Sequence, residues 1–257
     1  MEMVTTVNPP KATPSASVSR KFSSRLRASH RWLGLIFGLS VLLSACSGVL
    51  HTVMTWTQSP PPRPGAPGPA LDVALVKLTP AQAAEAALRL VPGGGGHVSG
   101  INVRMIRNTP WYIVQCTGKT GTLSRLYINA TNGEAGSDTD AAMAEEIASR
   151  FLGGEKVEFS ACLTSYDSEY IPIFRILPVY KFILKDNRGT RVYVSTLTES
   201  VTRHTDNARQ WEADLFSNAH KLAFIPSKML RDGVLIAMTS GIALAALAGI
   251  ALFFTRR

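Results

Sequence analysis

WLGLIFGLSVLLSACSGVLHTVMTW, residues 32–56, carries no Asp, Glu, Lys or Arg, and how it is read decides the fold. A bilayer's hydrocarbon core is about 30 Å thick and takes roughly 20 apolar helical residues to cross. Only a helix can satisfy its own backbone there. The stretch is therefore predicted to be a transmembrane α-helix, with the flanking chain extending it to residues 25–57. A second uncharged run, residues 233–254, predicts another span over 229–255. Everything between the two then lies on one side of the membrane.

Charge indicates which side. Lys11, Arg20, Lys21, Arg25, Arg27 and Arg31 precede the first span against Glu2 alone, and Arg256 and Arg257 follow the second. By the positive-inside rule both ends are cytoplasmic, as expected of a two-pass protein of a bacterial inner membrane with its central domain in the periplasm. Little of the net +9 falls in the middle of the chain, so it sets orientation rather than marking a nucleic-acid surface. A competing reading takes Leu43-Ser44-Ala45-Cys46 as a lipoprotein cleavage site with Cys46 lipidated, but the chain remains apolar after Cys46.

Residues 1–24 are rich in Ser, Thr, Pro and Val without periodicity and read as a disordered cytoplasmic tail. Residues 58–77 include SPPPRPGAPGPALD, a stiff proline-rich linker. Thr79-Pro80 then gives a helix N-cap followed by proline at the first helical position. Three strand-like runs follow, at 97–106, 111–117 and 122–130, separated by turn residues. The order then repeats: a helix capped by Ser137 or Asp138 and ended by Gly153-Gly154, with strands at 156–165, 178–186 and 190–198. The middle run, PVYKFILKD, is apolar on both faces apart from Lys181 and is expected inside its sheet. The prediction is an α+β domain of two tandem units, 78–136 and 137–205, each a helix plus an antiparallel sheet. A pre-membrane helix at 206–228 leads to the second span.

YINATNGE (127–134) and, less closely, VYVSTLTES (192–200) close the two units, while HRWLG (30–34), SGVL (47–50) and HKLAF (220–224) flank them. In these short motifs the chain resembles the PepSY domain and PepSY-associated transmembrane proteins. It departs from their pattern at Asn129, Glu199 and Ala223. The resemblance implies small helix-plus-sheet units outside an inner membrane, and some members are haem-bearing ferric-siderophore reductases. It thus implies a haem-binding redox or iron/siderophore-uptake accessory.

The histidines are the candidate site. His51 lies toward the outer end of the first span and His220 shortly before the second, and an imidazole beside hydrocarbon is costly unless paired or ligated. Two neutral imidazoles on neighbouring helices can hold a haem iron, so His51 and His220 are the expected ligands of a haem b. His30, near the cytoplasmic edge, could serve a second haem only with a histidine from another copy. A homodimer would supply one, and two rows of small residues, Gly34 with Gly38 and Gly241-Ala245-Gly249, would permit close helix packing. The bland alternative leaves these imidazoles hydrogen-bonded to water or backbone. His97 and His204 read as surface residues, and Asp206, Glu212 and Asp214 as a solvated helix face. Cys116 and Cys162 read as buried free thiols in separate cores, with a disulfide between them as the alternative. No hydrolase, metalloprotease or phosphate-loop motif is present. The second function class is accordingly a periplasmic binding or protease-inhibitory module, tethered by its spans to dock on an unknown envelope partner.

Overall fold

A computed structural model describes residues 14–58, 60, 68–92 and 96–254. The chain divides into two compact units, Met1–Gln58 with Trp211–Arg257, and Ser59–Gln210.

The first unit is built on α1 (Pro14–Thr57) and α5 (Lys228–Phe254), with α4 (Asn207–Lys221) leading into it. Ser24–Thr57 within α1, and the whole of α5, are each long and apolar enough to cross a membrane. Proline suits the first turn of a helix, and α1 starts at Pro14, inside the stretch expected to be a disordered tail. The remainder of that expectation, residues 1–13, lies outside the described residues, as do residues 59 and 61–67 of the linker and the terminal Arg256 and Arg257. α1 and α5 pack antiparallel through the small residues of α5. A side-chain carbon at Gly241 would sit 2.3 Å from the Phe37 ring, and one at Gly249 would sit 3.0 Å from His30 Cε1. Gly34 and Gly38 border a shallow groove between the helices with Ile242 and Ala245, and a methyl group at either would meet nothing within 4 Å.

The second unit is a stack of layers. α2 (Pro80–Leu90) begins with a capping box, in which the Thr79 hydroxyl accepts from the Gln82 amide and the Gln82 side chain accepts from the Thr79 amide. Its Ala83 and Ala87 are fully buried on one face of an antiparallel sheet, β1 (Gly96–Ile106), β2 (Thr109–Gly118) and β3 (Leu123–Asn129), against Tyr112, Val114, Cys116 and Ile128. The β1–β2 turn is tighter than the sequence suggested. Arg107 and Asn108 both take positive φ, +49° and +60°, as a two-residue hairpin requires, so Pro110 falls within β2.

α3 (Thr139–Phe151) covers the opposite face of this sheet and one face of the next. That second sheet has four strands in sequential order: β4 (Val157–Leu163), β5 (Val179–Leu184), β6 (Arg191–Ser195) and β7 (Ser200–Thr205). β5 is interior, as its two-sided apolar pattern predicts. Three strands were expected, and β7 is the addition: VTRHT has one apolar side chain and read as a loop, but its polar side chains are drawn into the fold, Thr202 accepting from the Tyr170 hydroxyl at 3.0 Å and Arg203 lying over the Phe174 ring. A single core joins both sheets through α3, with Ile106, Ile113 and Tyr127 on one side, Ala144, Ile147 and Ala148 in the middle, and Val157, Phe182, Val192 and Val194 on the other. The expected units therefore share one helix and are not independent. Residues 164–178 fold over the outer face of the second sheet, burying Tyr170 against Val179 and Tyr193. Cys46, Cys116 and Cys162 are free thiols, and Cys162 is exposed rather than buried.

Candidate functional site

The sequence stripe that builds the site runs along α4. Glu212, Phe216 and His220 are spaced four apart, so they share one face of the helix. That face meets α1. Glu212 is buried, with 10% of its side chain exposed, and accepts a 2.6 Å hydrogen bond from His51 Nδ1. The Gln58 side-chain amide donates to its other oxygen. Glu212 is thus not on a solvated face, as its polar surroundings had suggested, and the 212-216-220 spacing is the signal that marks it.

Phe216 touches both histidines expected to hold a haem. Its ring centroid lies 5.1 Å from that of His51 and 4.8 Å from that of His220, nearly parallel to the latter at 12°. His220 Nδ1 lies 3.2 Å from the hydroxyls of Ser44 and Ser47, and Ser47 also donates to the Ser44 carbonyl at 2.9 Å. His30 sits apart from this cluster and donates from Nδ1 to the Ala245 carbonyl at 2.9 Å. In each of the three rings Nδ1 is therefore occupied by the chain itself. Nε2 of His51 and of His220 has no hydrogen-bond partner among the described residues. Among those residues no group of three or more His, Cys, Asp or Glu gathers as a metal centre.

The other polar clusters lie in the second unit. Asp140, in the first turn of α3, accepts from Tyr127 on β3 and, at 2.8 Å, from Tyr180 on β5, so one carboxylate ties both sheets to the helix between them. Burial first, and then the hydrogen bond to Asp140, pushes both phenols well above their ordinary range. Glu169 accepts from Arg191 Nε at 2.8 and 2.9 Å and from the Tyr193 hydroxyl, with Lys181 Nζ 3.5 Å away. Burial alone would raise this carboxyl, but those bonds and charges hold it below the usual carboxylate range.

His97 is exposed, as expected, whereas His204 is half-buried in β7 and packs on the Phe151 ring at 5.6 Å. Burial, and then the neighbouring Arg209, lowers its pKa. It borders an open cleft of about 1410 Å³ at the C-terminal end of α3, with Asp186, Arg188, Asp206 and Arg209. Asp206 caps α4 by accepting from the Arg209 amide at 2.9 Å, and it pairs with the Arg209 side chain at 2.6 Å.

Compared with protein-family models, with curated proteins and with solved structures, the chain finds no match.

Proposed function

We propose that the chain is a two-pass inner-membrane protein, both termini cytoplasmic, whose α1–α4–α5 stem presents a PepSY-like α+β domain in the periplasm as a binding module for an envelope protein. The observation that carries this reading is the closure of the stem on itself: His51, His220 and His30 are each held by the chain's own groups. Glu212 and Phe216 thereby act as a clamp between α4 and α1. The orientation rests on the excess of Lys and Arg ahead of the first span. The outer domain offers large apolar side chains to a partner, among them Leu123, Ile173 and Phe159.

A second reading is favoured by the free Nε2 atoms. A ligating histidine is normally oriented by a hydrogen bond at its other ring nitrogen, and His51 and His220 both have one. The donor set thus fits a haem b, which would supply one-electron transfer, with His51 and His220 as its ligands and His30 serving a second haem in a homodimer. Placing both rings on one iron requires α4 to part from α1, because Phe216 is in contact with each.

Absorption spectroscopy of the full chain, purified in detergent from cells supplied with haem, tests the choice. The module reading expects no Soret band, and a His51→Ala variant that unfolds at lower temperature. A band that shifts on reduction and disappears in His51→Ala overturns it in favour of haem. A photo-crosslinker at Leu123 or Phe159 is expected to give a discrete adduct in cells, and the binding role fails if no position on these faces does so.

A further inference from the structure

The uncharged run of α1 is longer than the bilayer needs, and the contacts within the stem show which part of it lipid can cover. His30 meets Ala245 and Gly249, and Phe37 meets Gly241. Carrying this antiparallel register outward at equal rise brings Ser44 level with Val234, and Ser47 level with Arg231. On α5, charge stops and the apolar run starts at that level: Lys228, Arg231 and Asp232 lie just outside it, with Lys228 Nζ 2.6 Å from Asp232. α4 marks the same level independently, since its last turn is anchored there by His220 on Ser44 and Ser47. The chain then turns through residues 222–227, with Leu222 at φ +52°. Irregular backbone facing lipid is not tolerated in hydrocarbon, and a carboxylate as short as that of Asp232 cannot reach far for water.

We infer that the outer hydrocarbon boundary crosses α1 at about Ser44, so that residues 48–57 stand outside the acyl chains beside α4. From Ser44 inward, roughly 20 residues reach Arg25, and the long side chains of Arg27 and Arg31, which lie within that length, extend toward the cytoplasmic headgroups. The α4–α5 turn then rests in the outer headgroup layer. Lys221, Lys228 and Arg231 are positioned there for lipid phosphates, and the exposed Phe224, Met229 and Leu230 for the top of the acyl chains. His51 is a water-facing residue in this arrangement, and His220 marks the boundary.

The inference rests on the two-span reading, and one experiment separates the two. Single cysteines are placed at Leu39, Val49 and Val53, all exposed positions of α1, in a Cys46→Ser, Cys162→Ser background that keeps the buried Cys116. Native membranes opened to both faces are treated with a water-soluble maleimide. Val49→Cys and Val53→Cys are expected to label at least tenfold faster than Leu39→Cys, which reacts only after detergent is added. If Val53→Cys is as protected as Leu39→Cys, lipid covers α1 as far as Trp56 and the inference is wrong. If Leu39→Cys labels as readily as Val53→Cys, the two-span reading itself is wrong.

Discussion

Replacing Asp140 by alanine removes the carboxylate to which Tyr127 of one sheet and Tyr180 of the other both donate. Tyr127 is 4% exposed, so its hydroxyl would be left buried with only the weak acceptor Met143 Sδ at 3.8 Å, whereas Tyr180 is half-buried and can recruit water. Leaving a buried hydroxyl unsatisfied costs about 1–3 kcal/mol, with Tyr127 toward the upper end and Tyr180 toward the lower. Losing an acid from the first turn of α3 adds about 0.3–1 kcal/mol. The expected loss is roughly 3–5 kcal/mol, and at about 2–4 °C per kcal/mol for a domain of this size Tm should fall by roughly 10 °C. Near-UV circular dichroism of the full chain in detergent follows it, because tyrosines of the core report the transition. The control is the triple variant Asp140→Ala, Tyr127→Phe, Tyr180→Phe, which leaves no stranded hydroxyl and should regain much of the loss. A single variant within about 1 kcal/mol of wild type, or a triple variant no better than the single, would refute the bridging role.

Other outcomes follow from the same packing and charge. Tyr127, Tyr180 and Tyr193 hold their protons more tightly when folded than at the ordinary value near 10. Their contribution is whole below pH 10 and is lost as pH rises beyond it, so denaturant midpoints should drop on the alkaline side, and less so in Tyr193→Phe. Glu169 has the opposite sign: its carboxyl is held below its ordinary range, so its contribution is present above that range and fades as pH falls through it. Glu169→Gln should lower stability at pH 7 and flatten the acid limb of the same titration. His204 is held neutral by burial, and its share is lost as pH falls below about 6.5; His204→Phe should reduce the slope there. In the stem, Gly241→Ala forces a methyl group onto the Phe37 ring and should cost about 1–3 kcal/mol, measured as a lower unfolding temperature in micelles. Phe37→Ala in the same chain should relieve it.

Most of the fold is legible in local chemistry. The Thr79-Pro80 cap, the period-two apolar runs and the Gly153-Gly154 stop each act within a few residues, and they place α2, β1–β6 and α3 to within a few positions. β7 is not legible because Thr202 and Arg203 are accommodated by Tyr170 and Phe174, distant residues that no local pattern can announce. The sharing of α3 by two sheets is also hidden. Ala141, Ala144, Ile147, Phe151 and Leu152 read as one apolar stripe, whereas Ala142 and Ala148 are buried as well, and small side chains are what allow a helix to be buried on two sides at once. The clamp was half legible: His51 and His220 stand out as imidazoles beside apolar runs, while Glu212 reads as one acid among several.

The membrane level shows most clearly why hydropathy alone misplaces a boundary. A run without charge is an upper limit on a span, because Ser, Thr, His and Gly carry no formal charge at neutral pH yet are at ease in water; SGVLHTVMTW after Cys46 is such a sequence. α5 has no such ambiguity at its outer end, since Lys228, Arg231 and Asp232 stand immediately before Gly233. Two helices in fixed register must share one bilayer, so the helix with the sharper edge sets the level for both. The glycine contacts at 241 and 249 transfer that edge from α5 to α1. The consequence for function is that the His51–Glu212 bond, with the His51 side chain half exposed, forms on the water side of that boundary, where α4 and α1 meet outside the acyl chains.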